Sequence, residues 1–311
     1  MEKEKFLIKE KLDSFEYSPK QKKLINEIKK INILRFKEVS DYHGAEHTQL
    51  VADFARYLAM KEGANVFEVE MAALLHDWGR VGENERRKKG VKVSHAEISK
   101  LKSQRLLLRQ LLDEGEINSI QYQNILEMIK GHSDLPGGKM IGRKIIRDAD
   151  RLSRFGVIGL HHLMLGAKDS GLPLYQAGRH ILRPSQPKPE RDVTCAIDDI
   201  NYVIDWKNIL ETKTAKKLVE GFNLVEILRE FLRTFAKYKD RIKNDDIWIG
   251  WVTKVANSIR VKRNELLKRF SSGNEMELFE NLLNLEKAEL FNENSLKEYL
   301  REYLLASKKK G

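Results

Sequence analysis

The feature that most constrains this chain is an apolar helical stretch that ends in a histidine and an aspartate. The stretch runs from Val66 to Leu75 at helical spacing, after Asn65 as the expected N-cap, and His76 and Asp77 follow it directly. Burying an imidazole beside a carboxylate is costly unless both are hydrogen-bonded or bind a metal. The fold must therefore bring partners to this pair. Because adjacent His-Asp pairs are common by chance, the rest of the chain decides what the pair means.

Four further residues of these types lie where the pattern predicts helix ends or buried helix faces: His47, His95, His132 and Asp150. His47 lies three residues before Leu50, on the apolar stripe of a predicted helix that Gly63 ends. A capping-box pattern at residues 94–97 places His95 in the first turn of another helix, which we expect to run to about residue 112. His132 follows the end of a helix predicted over residues 118–130.

Each of these residues, taken singly, has an ordinary structural explanation. A lone histidine on an apolar helix face is more often a core residue bonded to a backbone carbonyl. Asp150 has Arg151 and Arg154 as ion-pair partners within reach, and Asp148 competes with Asp150 as a ligand. The order His, His-Asp, His, His, Asp between residues 47 and 150, inside an all-helical pattern, favours a single site.

Imidazole nitrogens and carboxylate oxygens are donors that divalent transition metals accept. Three or four of the residues His47, His76, Asp77 and Asp150 would hold one ion and leave room for water. His95 and His132 would hold a second ion, with Asp77 bridging. Two ions about 3.5–4 Å apart would hold the attacking and leaving oxygens of a phosphoryl transfer. The sequence leaves open one ion or two, and Mn, Fe, Ni, Co, Zn or Mg as the metal.

Composition sets the class of protein. The 311 residues include only 6 prolines and 19 glycines, which favours long helices, and we expect an all-α fold. No apolar run approaches the roughly 18 residues of a membrane helix. The single Cys195 fits a reducing compartment, so we expect a cytoplasmic protein without a membrane partner.

The net charge of +11 favours an anionic partner, namely a phosphorylated metabolite, a nucleotide or nucleic acid. A solvated lysine-rich surface without a specific partner is the alternative.

We expect three parts along the chain. Residues 1–40 are predicted to be an N-terminal helical segment that packs on the core, residues 41–240 the main domain, and residues 241–311 a helical C-terminal extension with a weaker core and a break at 271–274. Residues 80–93 are predicted to be a loop. The longest irregular stretch, residues 168–192, is rich in proline and basic residues, and we expect it to close over the substrate.

Several motifs resemble those of the HD-domain metal-dependent phosphohydrolases. They are His47 with Val51, Ala-Leu-Leu-His-Asp at 73–77 and Ala-Asp-Arg-Leu at 149–152. More narrowly, Asp41-x-His43-x-x-x-His47, Gly131-His132-Ser133 and residues 147–159 resemble a largely uncharacterised group of bacterial HD hydrolases. The likeness covers about residues 40 to 240. It implies a helical bundle around a metal site with His47, His76, Asp77 and Asp150 as core ligands. His95 and His132 occupy positions that bind a second metal in some HD groups and face the substrate in others.

The residues after the His-Asp pair depart from the better-known branches. Trp78-Gly79-Arg80 stands where the alarmone hydrolases carry an acidic pair, and Arg80 replaces the glutamate of the deoxyribonucleotide monophosphatases. The Gly-Tyr-Pro motif of cyclic-dinucleotide phosphodiesterases is absent after His132. These three substrate classes are therefore disfavoured.

The resemblance predicts a hydrolase that cleaves a phosphate ester, of a nucleotide or another small phosphorylated metabolite, by attack of a metal-bound hydroxide that Asp77 orients. His132 or His43 would protonate the leaving oxygen. Position alone suggests that Arg80, Lys139 or Arg143 binds the non-bridging phosphate oxygens, although a surface salt bridge is the more common role for any one of them. We expect Arg80 to take part in catalysis, and Lys139, Arg143 and Arg179 to bind the substrate. The alternatives are a metal- and nucleotide-binding regulatory protein without turnover and a nucleic-acid-associated protein. A homo-oligomer is left open.

Overall fold

The protein is described by a computed structural model, which covers residues 17–37, 39, 43–83, 86, 89–90, 93–187, 191–269, 275–288 and 291–308. The described residues are mostly helical and contain no strand, which confirms the all-α prediction. The α-helices are α1 Pro19–Arg35, α2 Ala45–Glu62, α3 Val66–Leu75, α4 His95–Ser103, α5 Arg109–Asp113, α6 Ser119–Gly131, α7 Ile141–Leu152, α8 Gly156–Asp169, α9 Ala196–Asp205, α10 Lys213–Gly221, α11 Leu224–Tyr238, α12 Asp245–Arg269, α13 Glu275–Ala288 and α14 Glu293–Lys308.

The chain divides into two compact units. Unit 1 comprises Met1–Ser153 and Leu210–Lys216, and unit 2 comprises Arg154–Ile209 and Lys217–Gly311. The division into residues 1–40, 41–240 and 241–311 stays a prediction. The break expected at residues 271–274 and the first 16 residues lie outside the described residues. None of the described helices is both long and apolar enough to cross a membrane.

The helix boundaries around the His-Asp pair follow from local capping. Gly63 ends α2 in the left-handed conformation, with φ of 69°, and Asn65 caps α3 by accepting a hydrogen bond from Glu68 N. Ser94 caps α4 in the same way, accepting from Glu97 N. The helix end at Gly63 and the N-caps at Asn65 and Ser94 are therefore confirmed, whereas the return bond from the Glu97 side chain that a complete capping box needs is not among the described contacts.

The helix predicted from residue 95 to about 112 is interrupted by a π-helical turn at Gln104–Leu108, between α4 and α5. Ser99 and Ser103 are buried four residues apart, and the next buried residue, Leu108, comes five residues later. A π-turn accommodates this longer step and brings Leu108 to the core, whereas Leu106 stays 55% exposed. Apolar spacing alone gave no sign of the interruption, because every residue at 106–108 is leucine.

Helix α3 is the centre of unit 1. All ten of its residues are buried, and it packs against α1, α2, α6 and α7. A helix that is buried on every side needs neighbours all round, so the C-terminal end of α3 lies deep in the unit. His76 and Asp77 extend from that end.

Unit 2 has its own aromatic core. The aromatic rings of this core lie with centroids between 4.8 and 6.3 Å apart; Phe231 and Phe235 are stacked, and the other pairs are edge-on or tilted. The residues are Phe231, Phe235, Trp248, Trp251 and Phe291. Both tryptophans are buried. The C-terminal helices therefore share an aromatic core with α11, and the expectation of a weaker core there stays a prediction.

Candidate metal centre

The predicted ligands come from five places in unit 1 and converge on one point. His47 lies on the buried face of α2, Asp150 on α7, and His95 in the first turn of α4, while His76 and His132 are the residues that follow α3 and α6. His47, His76 and His132 are buried, as is Asp77. The structure thus brings together all six residues proposed as metal ligands.

Asp77 is at the middle of this group, and its two carboxylate oxygens face different sets of residues. Oδ2 lies 3.0 Å from His43 Nδ1, 3.5 Å from His76 Nε2 and 3.7 Å from His47 Nε2. Oδ1 lies 3.3 Å from Arg80 Nε, 3.7 Å from His95 Nε2 and 3.9 Å from His132 Nε2. The carboxylate therefore separates the histidines into two sets.

Three overlapping groups of side chains have their ligand atoms close enough to hold a metal ion. In each group these atoms lie within 4.8 Å of one another: His43, His47 and Asp77; His47, His76 and Asp150; Asp77, His95 and His132. Asp150 joins through Oδ1, which lies 3.3 Å from His47 Nε2.

Asp148, the competing carboxylate on α7, is engaged elsewhere. Its oxygens accept hydrogen bonds from Glu211 N and from both the backbone N and the Oγ1 of Thr212, at 2.7 to 3.0 Å. Asp148 is buried, whereas the side chain of Asp150 is 30% exposed. The structure thus favours Asp150 as the α7 ligand.

The far nitrogens of three imidazoles are oriented by neighbouring groups. His76 Nδ1 lies 2.6 Å from Ala73 O, and His132 Nδ1 lies 2.7 Å from Ile129 O. His47 Nδ1 lies 3.2 Å from Ser153 Oγ. Such contacts fix the tautomer of each imidazole and orient its Nε2 to bind a metal ion. Ser153 had not been singled out from the sequence, since nothing in its local pattern distinguishes it.

The donor set fits a divalent cation. His76 Nε2 is fully buried and has no hydrogen-bond partner among the described residues. A buried polar atom without a partner is rare, and an ion is one of its accepted explanations. Nitrogen and carboxylate donors in this ratio suit a transition metal.

The charges of the site suit metal binding as well. Burial would raise the pKa of Asp77, but His76, Arg80 and His43 outweigh it and hold that pKa well below its usual range. Burial, with the charge of Arg80, lowers the pKa of His95 to about 3. Burial and the charge of His76 likewise lower the pKa of His132. The carboxylate is thus ionised and these two imidazoles are neutral at neutral pH, as metal ligands must be.

His76 differs from its neighbours. Burial opposes its protonation, but Asp77 and Asp150 outweigh burial and raise the pKa of His76. In the absence of a cation this imidazole therefore favours a proton, which a metal ion would replace.

The predicted phosphate-binding residues lie in different surroundings. Arg80 pairs with Asp77 and, at 2.9 Å, with Glu83, so it belongs to the site. Arg143 pairs with Asp134, and Lys139 is exposed. Arg179 lies in unit 2, where it pairs with Asp192 and Asp198. Their roles in catalysis or substrate binding stay predictions.

The stretch around Arg179 is tied to helix α9 at several points. Arg183 pairs with Asp205 at 2.8 Å, and Asn201 Nδ2 donates to the carbonyls of residues 180 and 181. The closure of residues 168–192 over a substrate stays a prediction, and these bonds would have to break for such a movement.

A comparison with known families decides what this helical site is. Residues 44–154 match the HD domain family. This part of the chain is therefore similar to an HD domain. The motif resemblance found in the sequence is confirmed, and the six candidate metal ligands all lie within the matched range.

Similar proteins are known in bacteria. The uncharacterized protein YpgQ of Bacillus subtilis (strain 168) is 28% identical over 144 residues, a match that spans 43% of this chain and 62% of YpgQ. The crystal structure of YpgQ in complex with ADP is similar with a TM-score of 0.51 and 24% identity, covering 73% of this chain and 99% of that one. A Lactobacillus plantarum protein gives a TM-score of 0.52 and 20% identity, covering 73% of this chain and all of its own. These likenesses show a shared fold.

Proposed function

We propose that this protein is a metal-dependent hydrolase of a phosphate ester in a nucleotide or another small phosphorylated metabolite. One observation carries the proposal. His76 Nε2 is buried, has no hydrogen-bond partner among the described residues and lies 3.5 Å from the central carboxylate of Asp77. A purely structural core would leave that nitrogen desolvated and without a hydrogen bond, close to the Asp77 carboxylate, whereas a divalent cation held between the two would satisfy both groups.

The chemistry required of the site is hydrolysis of a P–O bond. A divalent cation held by His47, His76, Asp77 and Asp150 would activate water and offset the negative charge of the phosphate. Asp77 accepts hydrogen bonds on both of its oxygens, so it would orient the attacking water from a fixed position. Arg80 holds Asp77 Oδ1 at 3.3 Å and would offer its remaining N–H groups to a phosphate oxygen.

The leaving oxygen needs a proton, and His43 is the better placed of the two candidates. Its side chain is 20% exposed, and its Nδ1 lies 3.0 Å from Asp77 Oδ2. His132 is buried, with Nε2 directed at His95. We therefore assign His132 to metal binding and proton donation to His43.

The substrate class follows from charge and from the relative. The net charge of +11 favours anions, and the structure of YpgQ contains ADP. A phosphorylated nucleotide is thus the first class to test.

The test combines metal analysis with a hydrolysis panel. Purified protein would be analysed for bound metal and then supplied with Mn, Fe, Ni, Co, Zn or Mg. Phosphomonoesters, phosphodiesters and nucleotides, including ADP, would serve as substrates. We expect wild type to bind metal and hydrolyse at least one of them, and His76→Ala and Asp77→Ala to lose both properties.

His180→Ala is the matched control, since His180 is an exposed histidine of unit 2. It should keep its metal, because it lies outside the metal centre. A wild-type protein that binds neither metal nor substrate would refute the proposal. Metal and ADP binding without turnover of any substrate would favour the regulatory alternative.

A further inference from the structure

Three cations surround the turn that follows Asp77, and the proposed hydrolysis does not use them. They are Arg35, Arg86 and Lys102, here called the cation cluster. Lys102 Nζ and Arg86 Nη1 both donate to Val81 O, each at 2.8 Å. Arg86 Nη2 donates as well to Gly79 O. Two positive groups from separate parts of the chain therefore meet at one carbonyl oxygen.

Arg35, the last residue of α1, reaches the same turn from another side. Its Cζ lies 4.4 Å from the centroid of the Trp78 ring, a cation–π contact. Its Nε is buried and has no hydrogen-bond partner among the described residues. Because a buried guanidinium N–H without an acceptor is costly, it needs a partner that the described residues do not supply.

The acids of the turn are committed elsewhere. Asp77 and Glu83 both pair with Arg80, at 3.3 and 2.9 Å. Within the described part of the chain, no carboxylate forms an ion pair with a member of the cation cluster. Burial and the charges of Arg86 and Arg35 lower the pKa of Lys102 to about 8, and no acid among the described residues offsets them. The three positive charges of the cation cluster therefore repel one another.

The simplest structural explanation is that these cations only hold the carbonyls at the end of the turn. Arg86 and Lys102 do hold them, but this role needs no third cation and leaves Arg35 Nε unexplained. A lysine has three donors and an arginine five, so the carbonyl contacts leave donors from all three side chains. Planar guanidinium groups beside an ammonium suit the oxygens of a phosphate.

We propose that Arg35, Arg86 and Lys102 form a binding site for a phosphate-bearing anion, separate from the metal centre and joined to it through the turn of residues 77–81. Inorganic phosphate and the phosphate groups of a nucleotide present the same chemistry to this site. The site does not depend on the proposed hydrolysis, since none of its three residues is a metal ligand.

The test uses the full-length chain, stripped of metal with a chelator so that phosphate has no ion to bind. Inorganic phosphate and ADP would be titrated by calorimetry at constant ionic strength. We expect one saturable site in wild type. Lys102→Gln should weaken phosphate binding by about tenfold or more, as expected for loss of a charge-assisted hydrogen bond. Lys102→Arg should largely retain binding, and Arg35→Gln should weaken it like Lys102→Gln.

Arg105→Gln is the matched control, because Arg105 is an exposed cation three residues further along from Lys102. It removes one charge and should leave phosphate affinity unchanged. His76→Ala, which alters the metal centre, should also leave it unchanged.

Tighter binding of ADP than of phosphate, lost in Lys102→Gln, would assign the site to nucleotides, and equal affinities would assign it to free phosphate. Absence of saturable binding in wild type would overturn the proposal. So would wild-type affinity in both Lys102→Gln and Arg35→Gln, or an equal loss in Arg105→Gln. Loss of binding in His76→Ala would place the phosphate at the metal centre and overturn it too.

Discussion

His95 and His132 direct their Nε2 atoms at each other across 2.9 Å. Both imidazoles are neutral at neutral pH, since burial lowers both pKa values. Nδ1 of His132 is 2.7 Å from Ile129 O, so it carries the proton and its Nε2 is an acceptor. Nε2 of His95 must therefore be the donor. A second metal ion would take both nitrogens as ligands, with the His95 proton moved to Nδ1.

This pair gives a prediction about the number of ions. If Asp77 bridges two ions, wild type should bind two equivalents of Mn, and His95→Ala and His132→Ala should each bind one. The remaining ion would be held by His47, His76 and Asp150. Equilibrium dialysis followed by elemental analysis measures the ratio, with His180→Ala as the control that keeps two. A single equivalent in wild type would show that His95 and His132 face the substrate instead.

The depressed pKa of His95 predicts how stability depends on pH. Its pKa falls from 6.5 to about 3 in the folded protein, so between these values the unfolded chain binds more protons. This contribution to stability is complete above pH 6.5 and is lost as the pH falls toward 3. Between pH 7 and 5, metal-free wild type should lose about 1–2 kcal/mol more of its unfolding free energy than His95→Gln does.

Urea denaturation of the metal-free proteins at a series of pH values measures this difference. His180→Gln should follow the wild-type curve. Equal acid slopes for wild type and His95→Gln would mean that His95 is protonated as readily in the folded as in the unfolded chain.

The order of the ligands was predictable because each lies in a local helix pattern. His95 follows an N-cap, His132 follows a helix end and His47 lies on an apolar stripe. Short windows of sequence are therefore enough to predict where these ligands lie in their helices. The choice between Asp148 and Asp150 was not predictable. Both lie on α7, and what separates them is the backbone of Thr212, which is 64 residues from Asp148. Local spacing carries no information about such a distant partner.

Arg147 shows the same limitation. It is buried and donates to Glu211 through Nε at 2.6 Å and to Gly137 O at 2.6 Å. Residues 210–216 thus belong to unit 1 although the HD match ends at residue 154. Local patterns in the sequence could not pair Arg147 with Glu211, because the two are 64 residues apart.

We therefore expect Thr212 to affect metal affinity although it is not a metal ligand. Its Oγ1 donates to Asp148 Oδ2 at 2.9 Å in a buried place. Thr212→Val removes this donor and should lower the unfolding free energy by about 1.5–3 kcal/mol, the range for a hydrogen bond to a charged group. Metal affinity should fall as well, because Asp148 fixes the turn of α7 that carries Asp150.

Thr212→Ser retains the hydroxyl and should restore both properties. Thr214→Val makes the same chemical change two residues away and should have a small effect. Denaturant unfolding and metal titration report the two quantities, and a stability loss without any change in metal affinity would separate Asp148 from the ligand arrangement.

Gly79 provides the last prediction. The sequence suggested that it breaks the helix after Asp77, but its structural role is close packing. A Cβ at this position would overlap His95 O and lie 2.8 Å from Ser99 Oγ, which accepts the hydrogen bond of Gly79 N at 2.7 Å. Gly79→Ala must therefore push α4 away from the turn, which moves His95 relative to Asp77. We expect a loss of about 1–3 kcal/mol in stability, typical of overpacking, together with weaker metal binding.

Gly221→Ala is the control, because a Cβ there meets nothing within 4 Å, and it should be neutral or slightly stabilising. If Gly79→Ala bound metal as tightly as wild type, the approach of α4 to the turn would not set the position of His95.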